Sequence, residues 1–398
     1  MNRRVAKAEQ WSLAVISVLG LGAAAGAALA ISIANAQRGR RRAPLDAEKW
    51  HAACDESGSV REFPALLAQI QAGGCQHSVR AEVWPVLLQL VDPGETAAAK
   101  AERHADLARR FARLQQCCQE LQREAEQAHR AAPADAPHAA APPPPPQAQA
   151  VAQRQPPPAC ANDEALDAGA PQGAQRALAS LLCAYAVHDP ETGYCQGMSD
   201  LAAPFLSVFP GGEDVLAFWA FERLMRRAAP NFRRDEQGIH AQLQALMRVL
   251  TAADAALAAH LHAIGAGQCF FAYRMLVVLL RREMTQAQGL ELWEALWADE
   301  CWQQLTPFKH EAESAGLGWE AGAQPDLFLL CVAAVVLRQR RRILADCESQ
   351  DDAMRLFNSV RVEPWETLHA ARTLRRQLCG GAADIGSASP GPWVSLME

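Results

Sequence analysis

The sequence lacks most of the features that mark an enzyme or a nucleic-acid binder. Its 398 residues carry 38 Lys and Arg against 44 Asp and Glu, a formal net charge of -6, so no positive excess is available to meet a phosphate backbone. Among its 12 cysteines no C-x-x-C occurs, and only Cys117 and Cys118 stand close together. That scatter excludes a zinc framework and the dense bridging of a small secreted domain. It reads as reduced cytosolic thiols. H-E-x-x-H, a Gly-rich phosphate loop and a Ser-His-Asp order are all missing, and His260 and His262 have no thiol or carboxylate at ligand spacing. Strand alternation does not persist anywhere in the second half. Half of the residues are nevertheless hydrophobic, enough for a sizeable core, and helices are left to build it.

What is present begins with an apolar N-terminal stretch. Residues 11–33, WSLAVISVLGLGAAAGAALAISI, run for 23 residues without a charge. As a helix they would reach about 34 Å, enough to cross a bilayer core. Arg3, Arg4 and Lys7 precede them; Arg38, Arg40, Arg41 and Arg42 follow, an excess that favours a cytosolic body behind a membrane anchor. The alternatives are a cleaved signal or targeting peptide, given Ala34-Asn35-Ala36, and a twin-arginine export signal at Arg3-Arg4.

Five segments follow from composition. Residues 1–42 hold the basic flank and the apolar span. Residues 43–128 contain two short helices separated by Gly73-Gly74, then a charged helix over 98–128 with a narrow apolar stripe. Residues 129–174 are rich in Ala and Pro, and five consecutive prolines suit either a passive spacer or an SH3 or WW module. From 175 to 375 helical spacing dominates: Val215, Phe218, Trp219 and Leu224 share one stripe, Ile239, Leu243, Leu246 and Leu250 another. Two runs, 269–280 and 327–337, are apolar throughout but only about a dozen residues long, which predicts buried core helices. Charge clusters stand at 233–236 (RRDE) and 338–342 (RQRRR), the latter placed to complement a helix C-terminus. A tail over 376–398 ends the sequence. The fold class expected is all-α.

One stretch invites a chemical reading. In HDPETGYCQGMSDLAAPF (188–205) Gly193 and Gly197 bracket a break between two apolar helical runs, and a loosened turn there can present Gln196. A neutral amide offers a donor and an acceptor together, without acting as an acid or base.

GYCQGMSDL at 193–201 resembles the Y-x-Q-G-M-x-D-L signature of the TBC domain of Rab GTPase-activating proteins. GGCQHSVRAEVWPVLLQLVDP (73–93) resembles the family's opening segment through Arg80, Trp84, Leu87 and Leu88, and 217–250 and 269–298 resemble its C-terminal half. The details are similar to plant and algal members. The resemblance implies a large multi-helical fold and a GTP-bound Rab-type partner, with no cofactor of the protein's own, GTP and Mg²⁺ belonging to the partner. It assigns Gln196 as a glutamine finger, with Tyr194, Gly197 and Asp200 supporting the turn: Tyr194 packing against it, Asp200 capping or bonding nearby backbone. Arg80 and Trp84 are structural on the same reading.

The family also supplies an arginine from I-x-x-D-x-x-R, and here the sequence departs. No such motif precedes Gln196. CANDEALDA (160–168) resembles the region after that arginine, with Cys160 near its expected place, and a thiol carries no positive charge. Arg154 and Arg176 are the two upstream candidates. Two functions are open: a GTPase activator for Rab proteins that regulates vesicle traffic, or a Rab-binding adaptor with weak activity. A helical scaffold recruiting partners through the proline-rich insert is a third.

Overall fold

The computed structural model describes residues 41–131, 172–209, 214–305 and 326–378. Among them lie fifteen α-helices, several short 3-10 turns and two isolated β-bridges, with no β-sheet. The all-α expectation is met. The apolar stretch at 11–33 and most of the proline-rich insert lie outside the described residues. Among the described residues no helix is long and apolar enough to cross a membrane.

The helices are α1 (Ala47–Ala53), α2 (Phe63–Gly73), α3 (Arg80–Leu87), α4 (Ala97–Ala131), α5 (Gln172–His188), α6 (Met198–Val208), α7 (Asp214–Ala228) and α8 (Gln237–Ala253). They continue with α9 (Ala255–Ala263), α10 (Tyr273–Val277), α11 (Gln286–Leu305), α12 (Leu327–Arg338), α13 (Arg340–Asp346), α14 (Gln350–Asn358) and α15 (Pro364–Leu378). They form two compact units. One combines Arg41–Gln242 with Tyr273–Lys309; the other combines Leu243–Ala272 with His310–Ile385.

In the first unit, α2 ends where the sequence placed a break: Gly74 closes it with φ 73°, its N–H donating to the Ile70 carbonyl. Among the described side chains of the charged helix α4, Leu107, Phe111 and Cys118 are buried, spaced four and seven residues apart along a single stripe. That stripe meets α7, where Phe111 packs on Phe218 at 4.8 Å and the Trp219 indole donates to the Leu107 carbonyl at 3.0 Å. Arg110 covers the Trp219 ring at 4.5 Å. Helix α5 packs on α4 and on α6, and α11 on α2. At the centre Trp84 of α3 meets Phe205 of α6 and Trp297 of α11 edge-on, at 5.4 and 5.0 Å.

The second unit is organised by α12, whose residues from Leu327 to Leu337 are all buried, as its uniform apolarity predicts. It packs along α15. Asp254 caps α9 by accepting from the Leu257 N–H at 3.0 Å and pairs with Arg340 of α13. The ring of His260 bonds the carbonyls of Ile343 and Cys347 at 3.1 and 3.0 Å. His260 is thus a structural tie. In the same unit Phe271 stacks on Phe357 at 4.7 Å. The basic cluster at 338–342 is partly absorbed in pairs, Arg338 with Glu366 and Arg340 with Asp254.

The run 269–280 departs from expectation. Instead of one core helix it forms a 3-10 turn (Phe270–Ala272), the five-residue α10, and a reversal in which Leu279 and Leu280 both adopt positive φ, 51° and 59°. Apolar content alone does not distinguish a buried helix from a buried broken chain; burial was correctly inferred for Cys269, Phe271, Ala272 and 275–280, while Phe270 and Tyr273 are exposed.

Candidate functional site

Helix α5 ends at His188, and a tight turn reverses the chain into α6. Asp189 fixes the turn: its carboxylate accepts from the Tyr185 hydroxyl at 3.0 Å and the Thr192 N–H at 3.2 Å, and its carbonyl accepts from the Gly193 N–H at 2.8 Å. Burial pushes the Asp189 carboxyl up, but bonds from Thr192 and Tyr185 outweigh it, and the group titrates below the usual aspartate range. The hydrogen bond to this carboxylate adds to burial in holding the Tyr185 phenol protonated.

Both glycines of the turn take left-handed backbone, Gly193 at φ 60° and Gly197 at φ 99°. Between them Gln196 is exposed, while Thr192, Gly193, Gly197 and Met198 are buried and Tyr194 and Cys195 half-buried. The Cys195 thiol donates to the Phe232 carbonyl at 3.2 Å, and its N–H points at the Met198 sulfur at 3.3 Å. The amide therefore projects from a turn that is tied down on either side.

Asp200 is buried, and its role differs from the sequence expectation. Its carboxylate takes a bidentate pair from Arg282, Nε to Oδ1 at 3.1 Å and Nη2 to Oδ2 at 2.8 Å. A carboxylate this close to a guanidinium gains more from the fork than from a single backbone N–H.

Arg80 and Trp84 converge on one carboxylate. Glu294 of α11, fully buried, accepts from Arg80 Nε at 2.6 Å and Trp84 Nε1 at 3.0 Å on one oxygen, and from the Cys75 N–H at 2.8 Å on the other. Burial pushes the Glu294 carboxyl up, and Arg80 pulls it back. Trp84 also touches Phe205, about two turns into α6, so this node holds the floor beneath α6.

The candidate arginines are not brought to the turn among the described residues. Arg176 is exposed near the start of α5. Twelve residues separate it from His188, about 18 Å along the helix axis, and the turn leaves from the far end. Arg154 and 160–168 lie outside the described residues. Two residues escaped the sequence reading, Glu294 and Arg282. An acid inside LELWEALW, between two tryptophans of a buried helix, signals a buried carboxylate that needs a cation. Arg282 had no comparable local signal.

A family model of the Rab-GTPase-TBC domain matches residues 159–309, and these include Gln196 and its turn. Rab GTPase-activating protein 22 of Arabidopsis thaliana is 40% identical over 207 residues, covering 50% of this chain and 35% of that protein. Residues 159–309 belong to the TBC family. TBC1 domain family member 25 of Homo sapiens is 30% identical over 274 residues, 69% of this chain and 36% of the human protein. The chain thus spans about a third of the length of these curated relatives. The crystal structure of the Ypt/Rab-GAP domain of Gyp1p superposes with a TM-score of 0.55 at 14% identity, over 83% of this chain and 97% of that one. At that identity the likeness is one of fold. It agrees with the all-helical TBC architecture described above.

Proposed function

We propose that this chain accelerates GTP hydrolysis on a Rab-type small GTPase, with Gln196 entering the partner's nucleotide site, and so regulates vesicle traffic. The observation that carries this reading is the exposed amide of Gln196 on a turn held by two left-handed glycines. Phosphoryl transfer leaves a protein little covalent chemistry to perform, so positioning the water and offsetting charge are the available levers. An amide can accept from the attacking water while donating to a phosphate oxygen. GTP and its Mg²⁺ belong to the partner, and the chain needs no cofactor of its own. Relatives named as GTPase-activating proteins favour activation over an adaptor that only binds. We also propose that residues 11–33 hold the chain on a membrane with the TBC domain in the cytosol.

The test is single-turnover hydrolysis by a panel of GTP-loaded Rab proteins, using the whole chain in detergent beside Gln196→Ala. Acceleration that falls at least tenfold in the variant supports the reading. Binding of a GTP-loaded Rab without acceleration would replace it with the adaptor.

A further inference from the structure

The support beneath the glutamine turn is strained backbone. Leu279 and Leu280, both buried, hold consecutive left-handed conformations, φ 51° and 59°. For a residue with a β-carbon each costs about 1–2 kcal/mol, and such strain persists only where the surroundings over-determine it. Three contacts do so here. The Trp293 indole donates to the Leu279 carbonyl at 3.0 Å. The Leu280 N–H donates to the Met275 carbonyl at 2.9 Å. Arg274 holds the fully buried Glu283 through Nε and Nη2 at 2.9 and 2.8 Å.

Two things issue from this reversal. Val278, just before it, faces the turn so closely that a β-carbon on Gly197 would stand 3.3 Å from its Cγ1. Arg282, just after it, reaches the carboxylate of Asp200 in the first turn of α6. The glutamine turn is therefore pressed on Val278 and clamped through Asp200, and both contacts are set by one strained segment 82 residues away in sequence.

We propose that Arg282 is a positioning residue for Gln196: its two-pronged grip on Asp200 fixes the start of α6 and so the direction of the amide. This rests on the function proposed above for Gln196, but its first readout does not. In the whole chain, Arg282→Lys keeps the charge and loses the fork, since an ammonium cannot make the paired planar contact. Hydrogen–deuterium exchange should quicken about tenfold or more at the amides of 195–200, with α11 unchanged. With a GTP-loaded Rab, kcat should fall about ten- to a hundredfold with KM within about twofold, the scale of a misplaced catalytic group. In a Gln196→Ala background the same substitution should cost nothing further, because residues acting as one unit are not additive.

Unchanged exchange at 195–200 overturns the proposal, as does equal quickening throughout α11, which would mark general destabilisation. An equal kcat loss with and without Gln196 overturns it too. If the wild-type chain accelerates no Rab, the function reading fails alone, and exchange still decides whether Arg282 orders the turn.

Discussion

Replacing each glycine of the turn by alanine separates backbone strain from steric contact. At Gly193, φ is 60° and nothing lies within 4 Å of an added β-carbon. Gly193→Ala should therefore cost only the left-handed penalty, about 1–2 kcal/mol. Gly193→Asn should cost less, because asparagine tolerates this region. At Gly197, φ is 99°, beyond the small left-handed well open to other residues, and a β-carbon would sit 3.3 Å from Val278 Cγ1 and 3.7 Å from Phe232 Cε1. Strain and contact together should cost about 2–3 kcal/mol, the upper part of the range for sparsely populated conformations. Urea unfolding followed by tryptophan fluorescence suits the question: Trp50, Trp84, Trp219, Trp293, Trp297 and Trp302 all belong to the unit that carries the turn. With a slope of about 2–3 kcal/mol per molar, a 1 kcal/mol difference between the two alanine variants displaces the midpoint by about 0.3–0.5 M. Equal midpoints for the two variants, or both within about 0.5 kcal/mol of wild type, would refute the argument that the second glycine is fixed by Val278 as well as by its φ.

The remaining predictions concern the buried node and the N-terminal stretch. Glu294→Ala strands the Arg80 guanidinium, the Trp84 indole and the Cys75 N–H, and should destabilise by about 3–5 kcal/mol in the same assay. Pairing it with Arg80→Met should recover part of that loss, because the second change removes the stranded charge; a double variant less stable than Glu294→Ala alone would contradict the ion-pair account. The whole chain should resist alkaline carbonate extraction from membranes, while a form lacking residues 1–42 should not, and equal extraction of both would remove the anchor.

How far the sequence reached differs from element to element, and the physics explains where it stopped. Local chemistry fixed the helix stop at Gly74, the narrow stripe of Leu107, Phe111 and Cys118, and the burial of 327–337. It also fixed the glutamine turn, because glycines four apart need no distant partner to adopt left-handed backbone. These features depend on residues within a turn or two of one another, and periodicity and propensity report that range.

Tertiary structure decided what lies far apart in the chain. Glu294 meets Arg80 across 214 residues and Arg282 meets Asp200 across 82, and no spacing rule encodes such pairs. The broken run at 269–280 belongs here as well. No local preference would place two leucines in left-handed backbone; packing and the Trp293, Met275 and Glu283 contacts impose it. The sequence by itself determined a helical chain that offers a glutamine on a glycine turn. Only the tertiary structure decided what holds that glutamine in place, because strain and buried charge are stable only when residues from distant segments enclose them.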